Sequence, residues 1–205
     1  MGRKKRIGVF ISGRGSNFRA INEEIKKGGI NGEIVVVISD NPDAKGLLYA
    51  RQEGIPTHVF IKEKAEKRDD YFSRIMVKLE EYNLDLILLA GFMRVLSKNI
   101  INEYRNRIIN IHPALLPSFP GVHAQKQALE YGVKISGCTV HFVDEGVDTG
   151  PIIIQRAVPV YDDDTEESLA DRILEQEHKA FPEAVRLFCE DRLTVHGRRV
   201  YILGK

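Results

Sequence analysis

The sequence predicts an α/β fold built on a doubly wound, mostly parallel, Rossmann-like sheet with antiparallel additions in its C-terminal part. Up to residue 110, short apolar runs alternate with longer amphipathic stretches, a pattern typical of a parallel sheet with helices on both faces. One run, 84–90, is almost wholly apolar, as a strand covered on both faces must be. Beyond residue 133, two strand-like segments follow each other directly, which indicates an antiparallel pair.

In chain order, the first half carries apolar runs that predict strands; they are 7–11, 34–39, 57–61, 84–90 and 108–111. The stretches that predict helices are 17–27, 45–53 and 69–81. The last is the clearest, because Phe72, Ile75 and Leu79 fall on one face. Ligands of such sheets bind beyond the carboxyl ends of the strands. We therefore expect the functional loops to begin at residues 12, 39, 91 and 112.

The second half predicts strands over 133–143 and 152–160, joined by the sequence DEGVDTG. A long helix is expected over 165–190, with a threonine as its N-cap and two glutamates in its first turn. Pro182 should kink or interrupt that helix, because proline lacks the N–H group that an interior position donates. The segment 193–203 predicts a closing hairpin.

Composition and charge restrict the possible classes of protein. The chain has 205 residues, with 30 Lys and Arg against 29 Asp and Glu, so its formal net charge is +1. That balance argues against a nucleic-acid binder, which usually carries a basic excess. No apolar run approaches the ~20 residues that span a bilayer, and the one near the start is too short for a signal peptide. We therefore expect a soluble, cytoplasmic, single domain over 1–205, with halves at 1–110 and 111–205.

The segment SGRGSN at 12–17 follows the first predicted strand and opens a helix. Its two glycines allow a tight turn with outward-facing amide groups, and a helix N-terminus favours an anion. Phe18 stands where the third glycine of a dinucleotide motif would fall, so a single phosphate fits better than a pyrophosphate. A plain strand-to-helix turn beside a solvated basic N-terminus would explain the same residues.

Asn110 and His112 lie two residues apart in a predicted strand and its exit, so their side chains face the same side. An amide donor and an imidazole that titrates near neutral pH suit an oxyanion that forms on a carbonyl. A histidine that only satisfies hydrogen bonds in the core is the alternative for a single residue of this type.

A glycine-rich loop within 141–151 carries Asp144, Glu145 and Asp148. A carboxylate near His112 would favour the imidazolium form and raise the pKa of that histidine, whereas a solvated acidic turn is the alternative. The six histidines include no HExxH motif and the two cysteines no CxxC motif. Neither a metal site nor a disulfide framework is therefore expected.

Taken together, these segments resemble the phosphoribosylglycinamide formyltransferases of the folate-dependent formyltransferase family. The motifs that carry the resemblance are ISGRGSN near the start, LAGFMRVLS at 89–97, NIHPALLPSFPG at 110–121, HFVDEGVDTGPII at 141–153 and QEH at 176–178. The resemblance implies an enzyme of purine biosynthesis. Such an enzyme transfers the formyl group of 10-formyltetrahydrofolate to the amine of glycinamide ribonucleotide, giving formylglycinamide ribonucleotide and tetrahydrofolate. The sequence departs from the commonest form of these motifs at Arg14, Ala114 and Thr149, and none of these departures removes a catalytic group.

By this resemblance Asn110, His112 and Asp148 are the catalytic residues. The amine attacks the formyl carbon, and Asn110 together with protonated His112 stabilises the resulting negative oxygen. His112 also donates a proton to the leaving folate nitrogen. Asp148 keeps His112 protonated and helps to relay the proton of the amine.

The resemblance also assigns the binding residues. Those for the ribonucleotide are Gly13, Arg14, Gly15, Ser16, Asn17 and Glu177. Those for the folate are Arg68, Met93, Arg94, Val95, Leu96, Asn110, Val143 and Asp144. Met93 and Leu96 are equally compatible with the core, and Arg68 and Glu177 with a solvated surface. The first half would then bind the phosphate and ribonucleotide, and the second the folate. No metal, nucleic acid or membrane is implied, and the chain would be a monomer or homodimer.

Other functions stay open at this point. A methionyl-tRNA formyltransferase would share the catalytic residues but carry a further C-terminal domain. A formyltetrahydrofolate hydrolase would carry an additional N-terminal domain and lack Pro113. A non-catalytic phosphate-binding module would need only the turn at 12–17 and would not need Asn110, His112 and Asp148 together.

Overall fold

The computed structural model describes residues 2–204. The chain divides into two compact units between Ile109 and Asn110. The expected single domain, and its division into a ribonucleotide half and a folate half, stay predictions. No helix within the described residues has the length and apolar character needed to cross a bilayer.

The first unit alternates strands and helices, as its apolar runs predict. Its elements are β1 (Lys5–Ile11), α1 (Ser16–Lys26), β2 (Gly32–Ser39), α2 (Lys45–Gln52), β3 (Thr57–Val59), α3 (Arg68–Leu79), a 3₁₀ helix (Glu80–Tyr82), β4 (Leu86–Leu89), α4 (Lys98–Glu103) and the start of β5 (Ile108–His112). The strand order is β3-β2-β1-β4-β5. Strand β1 pairs in parallel with both β2 and β4, and β2 pairs in parallel with β3. The doubly wound parallel sheet is therefore confirmed.

Strands β1 and β4 occupy the middle of this order and form the core of the first unit. Val9, Phe10 and Leu88 are fully buried. Since successive strand residues point to opposite faces, both faces of the sheet are covered. Each fully buried aliphatic side chain stabilises the fold by about 1.5–3 kcal/mol. The loops that leave these strands therefore start from a rigid support.

Helix α4 is the one element of the first unit that the sequence analysis does not predict. It spans six residues, which is under two turns and too short for a recognisable apolar period. Ile100 and Ile101 are buried and hold the helix against α3. Tertiary packing, rather than a local pattern, accounts for this helix.

The second unit starts with the end of β5. Its further elements are α5 (Ala124–Tyr131), β6 (Ile135–Phe142), β7 (Ile152–Pro159), α6 (Glu166–Cys189), β8 (Leu193–His196) and β9 (Arg199–Ile202). The strand order is β5-β6-β7-β9-β8. The pairs β6–β7 and β8–β9 are antiparallel, whereas β7 and β9 meet in parallel. The antiparallel additions and the closing hairpin are thereby confirmed.

Helix α6 packs on β6 and β7 and begins with a reciprocal cap. The Thr165 side chain accepts a hydrogen bond from the Ser168 N–H at 3.1 Å, and the Ser168 hydroxyl accepts one from the Thr165 N–H at 3.0 Å. Of the kink or interruption expected at Pro182, the interruption is wrong, because the helix continues through that residue. Pro182 lies next to the buried Phe181, and burial of this apolar face offsets the missing hydrogen bond.

Candidate active site

Strand β5 supplies two polar side chains to the candidate active site. Asn110 and His112 flank the buried Ile111, so both project from the same face of the strand. His112 is only 4% exposed. Strand β6 lies next to β5 and adds His141, whose Nε2 is 3.2 Å from the Asn110 Nδ2. Two neighbouring strands thus place three polar side chains in one cluster.

The loop between β6 and β7 brings Asp148 to the same cluster. Its Oδ2 lies 3.3 Å from the His112 Nδ1 and accepts a hydrogen bond from the Gly121 N–H at 2.8 Å. Its Oδ1 lies 3.4 Å from the Asn110 Nδ2 and 3.7 Å from the His141 Nε2. Asp148 has a φ of +55°, a left-handed conformation that a non-glycine residue keeps only where its surroundings impose it. The second unit therefore brings together Asn110, His112 and Asp148.

His141 belongs to this cluster, although the sequence analysis gives it no role. Its ring is 2% exposed, and its Nδ1 lies 2.8 Å from the Phe142 carbonyl, to which it donates. Its Nε2 contacts the Asn110 Nδ2 at 3.2 Å. This contact orients the Asn110 amide. In the sequence, His141 begins the segment HFVDEG, which also carries the acidic residues of the loop. The sequence of strand β6 alone does not show which residues of β5 lie opposite His141.

Burial lowers the pKa of His112 below its ordinary value. The Asp148 carboxylate acts in the opposite direction, as does the Phe119 carbonyl, which lies 2.8 Å from the His112 Nε2. The predicted effect of the carboxylate is therefore present, although burial outweighs it. The reason is that the ring loses more hydration energy on burial than these oxygens return.

Asp148 is held as a carboxylate. Burial by itself works to raise its pKa, but the contacts with His141 and the Gly121 N–H, together with the nearby His112, outweigh burial and lower the pKa below its usual value. Near neutral pH a negative charge therefore faces the Nδ1 edge of His112.

In the first unit, the turn after β1 has the features of an anion-binding turn. Gly15 is the N-cap of α1 with a φ of +73°, and a Cβ at this position would lie 2.9 Å from the Gly46 Cα. No side chain caps α1, and no acidic residue in its first turn would repel an anion. Of the other residues assigned to this turn, Gly13 and Arg14 are exposed, Ser16 is half-buried and Asn17 is buried.

The segment after β4 and the start of α3 carry the residues assigned to the folate in the first unit. Met93 is 69% exposed, which rules out a core position, whereas Leu96 is a core residue at 5%. Val95 is also exposed. The Arg94 guanidinium is turned towards Asp40, with its Nε 2.7 Å from the Asp40 Oδ2. Arg68 is the exposed first residue of α3.

The remaining assigned residues lie in the second unit. Glu177 is 7% exposed within α6, so a solvated surface position is wrong for it. Val143 and Asp144 are half-buried at the exit of β6. The Asp144 Oδ1 accepts hydrogen bonds from the Gly146 N–H at 3.1 Å and from the Thr149 hydroxyl at 2.6 Å. Asp144 therefore braces its own loop.

Both cysteines, Cys138 and Cys189, are buried and form no disulfide. Burial, with a smaller effect of the Glu177 charge, raises the pKa of the Cys138 thiol to about 12. Over residues 2–204, no group of three or more His, Cys, Asp or Glu side chains is arranged to hold a metal ion.

Comparison with known proteins assigns the chain to a family. The model of the family described as formyl transferase matches residues 5–185. The phosphoribosylglycinamide formyltransferase of Escherichia coli (strain K12) is 41% identical over 97% of this chain and 94% of its own length. The crystal structure of glycinamide ribonucleotide transformylase 1 from Symbiobacterium toebii superposes with a TM-score of 0.97 at 50% identity, covering 100% of this chain and 96% of that one.

A longer relative shares the same region. The trifunctional purine biosynthetic protein adenosine-3 of Drosophila melanogaster is 51% identical over 90% of this chain. The chain spans only 14% of the length of that protein. The family model covers most of the chain, and the bacterial relative matches it over nearly its full length. The chain therefore belongs to the formyl transferase family.

Proposed function

We propose that this chain transfers the formyl group of 10-formyltetrahydrofolate to the amine of glycinamide ribonucleotide, giving formylglycinamide ribonucleotide and tetrahydrofolate in purine biosynthesis. The observation that carries the proposal is the cluster in which Asn110 and His112 both lie within 3.4 Å of Asp148. An amide donor, an imidazole and a carboxylate are the groups that acyl transfer to an amine requires.

The reaction exchanges one carbon–nitrogen bond for another. The ribonucleotide amine forms a bond to the formyl carbon, and the electron pair of the carbonyl moves to the formyl oxygen. The bond between the formyl carbon and the folate nitrogen then breaks as the carbonyl reforms. The amine loses one proton and the folate nitrogen gains one, so no oxidant or metal is needed.

Asn110 stabilises the negative oxygen through its amide N–H. That amide contacts His141 at 3.2 Å and Asp148 at 3.4 Å, and the second distance is long for an N–H···O hydrogen bond. The N–H that faces Asp148 is therefore the one available to the formyl oxygen, while the contact with His141 keeps the amide plane in place.

His112 donates the proton through Nε2. Its Nδ1 faces Asp148, whereas Nε2 contacts the Phe119 carbonyl at 2.8 Å. The bound folate replaces that carbonyl as the partner of Nε2, so the backbone near Phe119 shifts when substrate binds. Asp148 supplies the negative charge that favours the protonated ring and accepts the proton of the amine, directly or through water.

The binding residues are those that the sequence analysis assigns to each ligand. The Gly13–Asn17 turn, with Gly13, Arg14, Gly15, Ser16 and Asn17, holds the phosphate of the ribonucleotide, and Glu177 holds its hydroxyls or its amine end. The folate is held by Arg68, Met93, Arg94, Val95, Leu96, Asn110, Val143 and Asp144. Support for these roles is the uncapped N-terminus of α1, the exposure of Arg68 and Met93, and the burial of Glu177. Small molecules are the only partners proposed, and the site of action is the cytoplasm.

The test follows absorbance as formyl is released from 10-formyltetrahydrofolate, with and without glycinamide ribonucleotide. Release should require the ribonucleotide, and His112→Ala should lower its rate by about 10²–10⁴-fold. His196→Ala is the matched control, because His196 is an exposed histidine of the β8–β9 hairpin.

Two outcomes would contradict the proposal. Release that does not need the amine would identify a hydrolase built on the same residues. A folded protein that binds phosphate esters but releases no formyl group would identify a binding module instead.

A further inference from the structure

A polar network joins three loops of the first unit that carry different predicted roles. Ser12, which follows β1, donates its hydroxyl hydrogen to the Asp40 Oδ1 at 2.6 Å and accepts the Met93 N–H at 2.8 Å. Asp40 follows β2, and its Oδ2 lies 2.7 Å from the Arg94 Nε. Asn41 completes the network by donating its side-chain N–H to the Ser12 carbonyl at 3.1 Å.

The topology of the first unit explains why these residues meet. Strand β1 lies between β2 and β4, so the carboxyl ends of the three strands are adjacent. Ser12 leaves the middle strand, and Asp40 and Met93 leave the two strands on either side. One hydroxyl between two neighbours can therefore connect all three exits.

The charged pair of the network is partly buried and consists of opposite charges. The Asp40 side chain is 9% exposed and the Arg94 side chain 33% exposed. The Arg94 guanidinium also lies over the Tyr71 ring, with 5.4 Å from its central carbon to the ring centroid. The Asp40 carboxylate therefore has little freedom to rearrange, because the Ser12 hydroxyl binds one of its oxygens and the Arg94 guanidinium lies against the other.

We propose that Asp40 is a positioning residue that couples the phosphate-binding turn to the folate-binding segment through Ser12 and Arg94. The inference rests on the proposed function for the two ligands. Asp40 itself touches neither ligand. It fixes Ser12, at the start of the turn, relative to the backbone of Met93 and the side chain of Arg94. Arg94 then contributes its backbone to folate binding, because its side chain is committed to Asp40.

The coupling should make the binding of one ligand favour the binding of the other. A phosphate at the turn holds the Ser12 backbone, and the Ser12 hydroxyl in turn holds the Met93 N–H. The 93–96 segment is therefore ordered before the folate arrives, so that less conformational entropy is lost on folate binding. By linkage, the folate must favour ribonucleotide binding by the same factor.

A first experiment needs no substrate and therefore tests the network even if the proposed reaction is wrong. Amide hydrogen exchange is measured on the native protein and on Asp40→Ala and Asp43→Asn. Asp43 is the matched control, because it is an exposed aspartate of the same loop whose described contact is made by its backbone N–H. Asp40→Ala should speed exchange at the Met93 amide and in the 13–17 turn, and Asp43→Asn should leave both unchanged.

A second experiment measures coupling between the ligands. The affinity for tetrahydrofolate is determined with and without glycinamide ribonucleotide, together with the KM for each substrate and kcat. Asp40→Ala should raise both KM values by about tenfold and abolish the mutual enhancement of binding, with a smaller change in kcat. Asp40→Asn should keep the bond from Ser12 and so restore the ribonucleotide KM, while the folate KM stays raised because Arg94 has lost its counter-charge.

Three results would overturn the inference. One is unchanged exchange at Met93 in Asp40→Ala. Another is a fall in kcat with a lower unfolding temperature but unchanged KM values, which would indicate a purely structural role. The third is coupling between the ligands that survives in Asp40→Ala. Absence of formyl transfer in the native protein would instead contradict the proposed function, and the exchange result would still decide whether the network exists.

Discussion

At His112, burial and a carboxylate act on the same ring in opposite directions. Burial lowers the pKa of His112 and prevails, while Asp148 at 3.3 Å limits the fall. The ring is therefore a weaker base than an exposed histidine, and Asp148 limits this weakening. A histidine with these two opposing influences can carry a proton before the transfer step and release it to the leaving group during that step.

Asp148→Asn tests this balance at the scale of one residue. The change removes the negative charge that raises the His112 pKa, so burial acts unopposed and that pKa falls further. Since activity that depends on protonated His112 is lost as pH rises through its pKa, the basic limb of the kcat/KM profile should move to lower pH. Activity at pH 7.5 should fall by about 10²–10⁴-fold. Asp144→Asn removes a neighbouring carboxylate in the same loop and is the control. The pH of the basic limb in Asp148→Asn is compared with its pH in this variant. A limb that stays in place in Asp148→Asn would refute the role of this charge.

Single residues also show which contacts a sequence can predict. The two-residue spacing of Asn110 and His112 correctly places them on one face of a strand, and the structure brings Asp148 to them. Their catalytic roles stay predictions. The Asp40–Arg94 pair could not be foreseen, because it depends on two loops that are distant in sequence and adjacent only through the strand order.

Among the elements, helix α6 has a capping box at its N-terminus and a proline in its interior. The cap between Thr165 and Ser168 satisfies N–H groups that the first turn would otherwise leave without partners, and the buried face around Phe181 carries the helix past Pro182. The sequence analysis predicts the cap from local chemistry. It does not predict that the helix continues past proline, because the compensating burial is a tertiary property.

Thr165→Ala should destabilise the protein without changing its chemistry. Loss of the cap removes a hydrogen-bond acceptor from the Ser168 N–H and should lower the free energy of unfolding by about 1 kcal/mol. Urea unfolding measures the change, and Thr165→Ser, which keeps a hydroxyl at the same position, should recover most of it. An equal loss in both variants would show that the methyl group, and not the cap, stabilises this end of the helix.

For the molecule as a whole, groups with shifted pKa values predict how stability depends on pH. Burial lowers the pKa values of His58, His112 and His178 below the ordinary value of 6.5. The unfolded chain therefore binds protons more readily at these sites, so stability is fully present above about pH 6.5 and decreases as pH falls below it. Asp85 and Asp148 also have lowered pKa values, the net result of contacts that outweigh burial. Their contribution is present above about pH 4 and is lost as pH falls through their folded-state pKa values.

We expect two successive losses of stability on acidification. Urea unfolding at intervals between pH 8 and pH 3 should show a first decrease beginning near pH 6.5 and a second beginning near pH 4. His178→Asn should reduce the first decrease, because it removes one ring that the fold keeps neutral, and should leave the second unaffected. A free energy of unfolding that is constant from pH 8 to pH 5 would contradict the assignment.

The burial of both thiols has a practical consequence for studying this molecule. With a pKa of about 12, almost none of the Cys138 thiol is present as the reactive thiolate at neutral pH, and Cys189 is also buried. We therefore expect the native protein to react slowly with maleimides and other alkylating labels. A single cysteine introduced on the surface, for example at Glu145 in the loop that carries Asp148, would be modified selectively, and a fluorophore there would report on that loop without removal of the natural cysteines.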